Sequence, residues 1–216
     1  MSKGYRHVTH IQMKKKIPLK GLKNKKNDVA AKPVVRPTKS RIRQALFNIL
    51  RHRFFESFTD ILFLEAFGGS GAFSFDAASL GAKDVVCVEK EERVFQILKQ
   101  NKEKCARKKG LTLVHEDILN FSASLLFDVV FLDPPYFQGL ILPAVRHLKA
   151  CGVLAPKAIL ILETSKKEFK SVHAALLAES FVCELSRFYG KIAVGFYTQK
   201  SLETFATQAK NATLPA

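Results

Sequence analysis

Apolar residues in this chain follow two alternating rhythms. Short continuous runs, DILFLEAF (60–67), DVVCVE (84–89), LTLVHED (111–117), FDVVFLD (127–133) and AILILET (158–164), have the length and content of strands buried on both faces. Between them, residues 72–80, 92–108, 138–151 and 167–179 have the polar and apolar spacing of helices; in the second, Val94, Ile97 and Leu98 share a face. A further helix opens the folded part within RPTKSRIRQALFNIL. Pro37 blocks helix before it, and Thr38 or Ser40 can cap it. Ile42, Ala45, Leu46, Ile49 and Leu50 then line one side. The last two runs, FVCELSRFY (181–189) and KIAVGFYTQ (191–199), predict an antiparallel pair turned at Gly190. Strands alternating with amphipathic helices predict an α/β fold, a mostly parallel sheet covered by helices on both faces.

Charge adds an appendage to this picture. Residues 1–43 hold 14 Lys and Arg against one acid, so +13 of the formal +16 lies there, and the body is nearly neutral. We expect a basic arm over 1–35, a folded domain over 36–200 and a poorly ordered tail over 201–216. Lys14, Lys15 and Lys16 in the arm, with Arg36, Arg41 and Arg43 near the first helix, suit a polyanion such as nucleic acid. No apolar run approaches the roughly 18 residues of a membrane span, and no secretory leader is evident. Cys87, Cys105, Cys151 and Cys183 lie far apart without a CxxC pair. They are expected to be reduced, buried apolar residues of a cytoplasmic protein, with no metal site.

The candidate chemistry gathers where strands end. LEAFGGSGAF joins the first strand to a helix, and Gly68, Gly69 and Gly71 let the backbone approach a ligand at that helix N-terminus. Such a loop alone is also a simple tight turn, or the loop of an NAD or FAD enzyme. Glu89 lies 18 residues beyond Gly71 at the end of the second strand, where an acid can accept both hydroxyls of a ribose. Asp117 can meet an adenine amine with Ile118 against the ring, or can act as a cap for the next helical turn. Glu65, Glu89, Asp117 and Asp133 together place acids at four strand ends, the edge where open α/β sheets bind ligands.

The fourth strand ends in Asp133, Pro134, Pro135 and Tyr136. The prolines stop hydrogen bonding and stiffen the loop. A (D/N/S)PP(Y/F) tetrapeptide in this position resembles the floor of enzymes that methylate nitrogens of a planar amine or amide. The resemblance implies a substrate such as an exocyclic base amine, a poor nucleophile because its lone pair is delocalised into the ring. The Asp133 carboxylate and the Pro134 carbonyl can accept its two hydrogens, and Tyr136 can stack on its ring. A sulfonium methyl is already activated, so alignment is the main task. The base must first leave its stack.

RPTKSRIRQALFNIL, LEAFGGSGAF, CVEKEERVFQILKQN and FLDPPY occur in this order. In this the chain resembles the bacterial family of methyltransferases that modify guanine N2 at position 966 of 16S ribosomal RNA, over about residues 33–199. The resemblance implies a Rossmann-like class I methyltransferase sheet of seven strands, S-adenosylmethionine as methyl donor and the small ribosomal subunit as partner. It implies cofactor contacts from Glu65, Phe67, Gly69, Gly71, Glu89, Asp117 and Ile118, and an amine site at Asp133, Pro134, Pro135 and Tyr136. Arg36, Thr38, Arg41 and Arg43 would lie near the RNA, and a monomer is expected. The family usually has Asp where Glu65 stands. DNA adenine-N6 methylation and a non-catalytic RNA-binding assembly factor are the alternatives. The first lacks an obvious target-recognition domain here, and the second leaves the acids and the DPPY without a role.

Overall fold

A computed structural model of the chain describes residues 40–105 and 109–200. The expected arm, the tail, and Lys14, Lys15, Lys16, Arg36 and Thr38 lie outside those residues. Helix α1 (Ser40–Ile49) is followed by β1 (Leu62–Glu65), α2 (Ala72–Ser79), β2 (Asp84–Glu89), α3 (Glu92–Glu103), β3 (Leu111–His115) and β4 (Phe127–Leu132). Then come α4 (Ile141–Ala150), β5 (Leu154–Ser165), α5 (Phe169–Ala178), β6 (Phe181–Tyr189) and β7 (Ile192–Gln199). The seven strands form one sheet in the order β3-β2-β1-β4-β5-β7-β6. Neighbours from β3 to β5 are parallel, and β7 is antiparallel to both β5 and β6. The order reverses beside β1, so the carboxyl ends of β1 and β4 flank a crevice.

Period-two alternation sends side chains into two cores. Leu64, Val130, Leu132, Leu160 and Leu162 pack against Ala144, Val145 and Leu148 of α4 and Leu176 of α5. Phe63, Val129, Phe131, Ile159 and Ile161 face the other way, against Ile42, Leu46 and Phe47 of α1 and Phe73 and Ala77 of α2. That second core is aromatic. Phe73 stacks on Phe131 at 4.2 Å and on Phe47 at 4.7 Å between ring centroids.

Several boundaries differ from expectation for local reasons. β5 starts at Leu154, four residues early, because the strand continues through exposed Pro156 and Lys157 at a register shift against β4. α4 starts only at Ile141, after Gly139 with φ 63°. α1 runs on into a π-helical turn, Leu50–Phe54, closed by the Phe55 N–H donating to the Leu50 carbonyl at 2.9 Å. Phe47 is buried where Ala45 was expected to be, and Ala45 is only partly covered. Of the four cysteines only Cys87 is buried, while Cys151 is exposed. No helix among the described residues is long and apolar enough to cross a membrane.

Phe73 is 1% exposed and sits between two rings. Phe73→Ala should therefore lower unfolding free energy by about 3–5 kcal/mol in urea denaturation. A loss below about 1 kcal/mol would mean that this stack does not hold α2 to the sheet.

Candidate functional site

The loop after β1 is pinned to its neighbours by backbone hydrogen bonds. Ala66 N–H donates to the Phe131 carbonyl at 2.9 Å and Gly68 N–H to the Val88 carbonyl at 2.7 Å. A Cβ on Gly68 would lie 2.7 Å from Cys87 Sγ and 3.1 Å from that same carbonyl, so only glycine passes this close to β2. Gly71 caps α2 in the left-handed conformation, φ 76°, and a Cβ there would stand 2.3 Å from Leu98. Gly71 does not itself line the cleft; its part is to set the turn that leads into α2.

A capping side chain is missing at Gly71, and acids from the strand ends take over. Ser74 N–H, in the first turn of α2, donates to Glu65 Oε2 at 3.0 Å. Gly69 N–H donates to Glu89 Oε2 and Glu91 N–H to Glu89 Oε1, both at 2.8 Å. Each Glu89 oxygen keeps a further lone pair, and the side chain is only half-buried. Asp117 lies two residues beyond the end of β3, not at its last position. It accepts the Leu119 N–H at 3.0 Å and meets Lys90 Nζ at 3.5 Å, so it does shape the turn after it.

These residues face one open cleft of about 950 Å³, a figure that includes the solvent at its mouth. Glu65, Phe67, Gly69, Glu89, Asp117 and Ile118 line one part of it, and Asp133, Pro134, Pro135 and Tyr136 line another. A carboxylate at Glu89 with lone pairs to spare and an apolar wall including Val88 and Ile118 suit an adenosyl group.

On the far side of the DPPY, two acids absent from the sequence expectations brace the loop. Tyr136 Oη donates to Glu163 Oε1 at 3.4 Å, and Glu163 is buried near the end of β5. Phe137 N–H donates to Glu168 Oε1 at 2.7 Å. Glu163 continues the rule of acids at strand ends, so its position in AILILET was the available signal. Glu168 carried none, since it sits just after two lysines in a loop. Of the arginines expected near RNA, two fall among the described residues. Arg41 is exposed. Arg43 is mostly covered and pairs through Nε with Asp76 of α2 at 2.8 Å, so it ties two helices together.

Burial pushes the Glu65 carboxyl up to about 7, against the hydrogen bonds from Ser74, which pull it down. Folding therefore favours its protonated form. The stability this gives is complete below about pH 4.5 and is lost as pH rises through about 7. Glu65→Gln keeps an acceptor for Ser74 without the charge. The stability of wild type relative to this variant should fall between pH 4.5 and 7 in parallel urea denaturations. A gap that stays constant across that interval would contradict the raised carboxyl.

Known proteins place this arrangement. The family described as conserved hypothetical protein 95 matches residues 20–198. A ribosomal RNA small subunit methyltransferase D from Haemophilus influenzae is 34% identical over 138 residues, 61% of this chain and 69% of the relative. The protein of that name from Escherichia coli is 31% identical over 145 residues, 66% of this chain and 70% of the relative. A crystal structure from Haemophilus influenzae, provisionally described as a methylase, superposes with a TM-score of 0.61 at 27% identity, over 76% of this chain and 100% of that one. The fold is that of Rossmann-like class I methyltransferases, with the strand order seen here. The chain belongs to the conserved hypothetical protein 95 family and is a relative of the ribosomal RNA small subunit methyltransferase D proteins.

Proposed function

We propose that this protein transfers a methyl group from S-adenosylmethionine to the exocyclic N2 of a guanine in 16S ribosomal RNA of the small subunit. One observation carries the reading: a single cleft joins the glycine loop and Glu89 to the Asp133–Tyr136 floor. The names of the relatives support ribosomal RNA as the substrate.

When bound, S-adenosylmethionine supplies an electrophilic methyl on a sulfonium. The residues of this chain do the positioning. Glu89 offers its remaining lone pairs to the ribose hydroxyls while its other contacts hold the loop. Asp117 accepts the adenine amine, and Ile118 packs on the ring. Glu65 lies toward the cationic end. The Asp133 carboxylate and Pro134 carbonyl accept the two N2 hydrogens, which aligns the nitrogen lone pair with the methyl carbon. Tyr136 stacks on the guanine, with its ring plane fixed through Glu163. Stiff backbone at Pro134 and Pro135 keeps these acceptors from following the base as it moves.

Labelled methyl transfer to unmethylated small subunits, followed by nuclease digestion and nucleoside mass analysis, tests this directly. N2-methylguanosine is expected. N6-methyladenosine would overturn the substrate, and no transfer together with no cofactor binding would leave a binding protein. Asp133→Ala should lower turnover about 10²-fold or more in single-turnover transfer, with cofactor affinity retained. Unchanged turnover would remove Asp133 from the amine site.

A further inference from the structure

The carboxyl edge of the sheet continues beyond the cleft. Past the end of β5, Lys166 and Lys167 stand exposed. The β6–β7 turn lies beside them, tied by the Lys166 N–H donating to the Lys191 carbonyl at 2.8 Å. The end of β6 adds exposed Arg187 and Phe188, and the turn adds Lys191. Phe188 is 50% exposed, rests edge-on against Phe169 at 5.3 Å and has the Lys166 ammonium 5.6 Å from its ring centre.

On the cleft side, Phe137 is 68% exposed, more than any other large apolar residue described. Its φ is 62°, a conformation that a bulky L-residue rarely adopts unless its surroundings impose it. Glu168 imposes it. One of its oxygens accepts the Phe137 N–H at 2.7 Å and the other accepts the Ser165 hydroxyl at 2.8 Å. The same side chain thus fastens the lip of the cleft to the lysine-bearing loop.

Charges on an exposed edge strand commonly serve to prevent pairing with other chains. That accounts for Arg187 on β6. It does not account for Lys166 and Lys167 in a loop, nor for two phenylalanine rings held in water.

We propose that this strip binds the single-stranded RNA flanking the target nucleotide. The basic side chains meet phosphates, and Phe137 and Phe188 stack on bases. The inference rests on the proposed RNA methylation and adds contacts from the loop after β5 and the end of β6. Turning a base out of its stack leaves its neighbours without a partner, and an aromatic ring at the lip replaces that partner.

The test measures binding of the full chain to unmethylated 16S RNA against salt concentration. Lys166→Ala, Lys167→Ala and Lys191→Ala combined should reduce the slope of log affinity on log salt by about 2, at about 0.7 per contact. Phe137→Ala with Phe188→Ala should weaken binding about thirtyfold or more without altering the slope. Both should raise KM for RNA and leave cofactor affinity and Tm unchanged. Unchanged slope and affinity in these variants, with an active wild type, would overturn the proposal. So would normal binding to naked RNA with loss confined to assembled subunits, which would mark a protein contact. A wild type that methylates no RNA sinks the functional reading instead, and the binding slopes still decide the strip.

Discussion

The site depends on how the amino end of α2 is held. A helix start leaves backbone N–H groups without partners, and Gly71 brings no side chain to satisfy them. Glu65 from β1 reaches Ser74 N–H, and Glu89 from β2 reaches Gly69 N–H. Two strands thereby fix the loop that opens the cleft. The strands are in turn fixed by parallel pairing, Glu65 beside Cys87 on one side and Phe131 on the other. The Glu89 carboxylate holds the loop through both oxygens and also lines the cleft.

The rest of the protein keeps this arrangement in register. The Phe47, Phe73 and Phe131 stack presses α2 onto β4 from one face. On the other side of the DPPY, Glu163 and Glu168 hold Tyr136 and Phe137 from β5 and the loop after it. The cleft is built from the ends of β1 and β2 and from the loops after β1, β2, β3 and β4. Their relative positions come from one sheet and need no moving part. Such rigidity suits a reaction in which the protein contributes mainly alignment.

Much of this was legible in the residues. β2 begins and ends where its apolar run does, because Asp84 and Glu89 bracket four buried side chains. The strand-end acids and the Gly loop meet in one cleft as their order along the chain suggests. The features that escaped were long-range or against local preference. Pro156 hid the start of β5, since a proline is tolerated there only because the pairing slips. The π-helical turn after α1 leaves no mark in apolar spacing. Arg43 resembles its basic neighbours until Asp76, 33 residues away, is brought against it. Glu168 gains a role only through a backbone N–H 31 positions earlier, in a left-handed residue that nothing in the sequence announces.

The central claim is that the acid-stapled loop forms the cofactor site. Calorimetric titration of S-adenosylmethionine into wild type and into Glu89→Ala tests it most directly. The account predicts saturable one-site binding to wild type and affinity at least about tenfold weaker in the variant, since both ribose acceptors and the Gly69 anchor are removed. Equal affinity in the two proteins would contradict it.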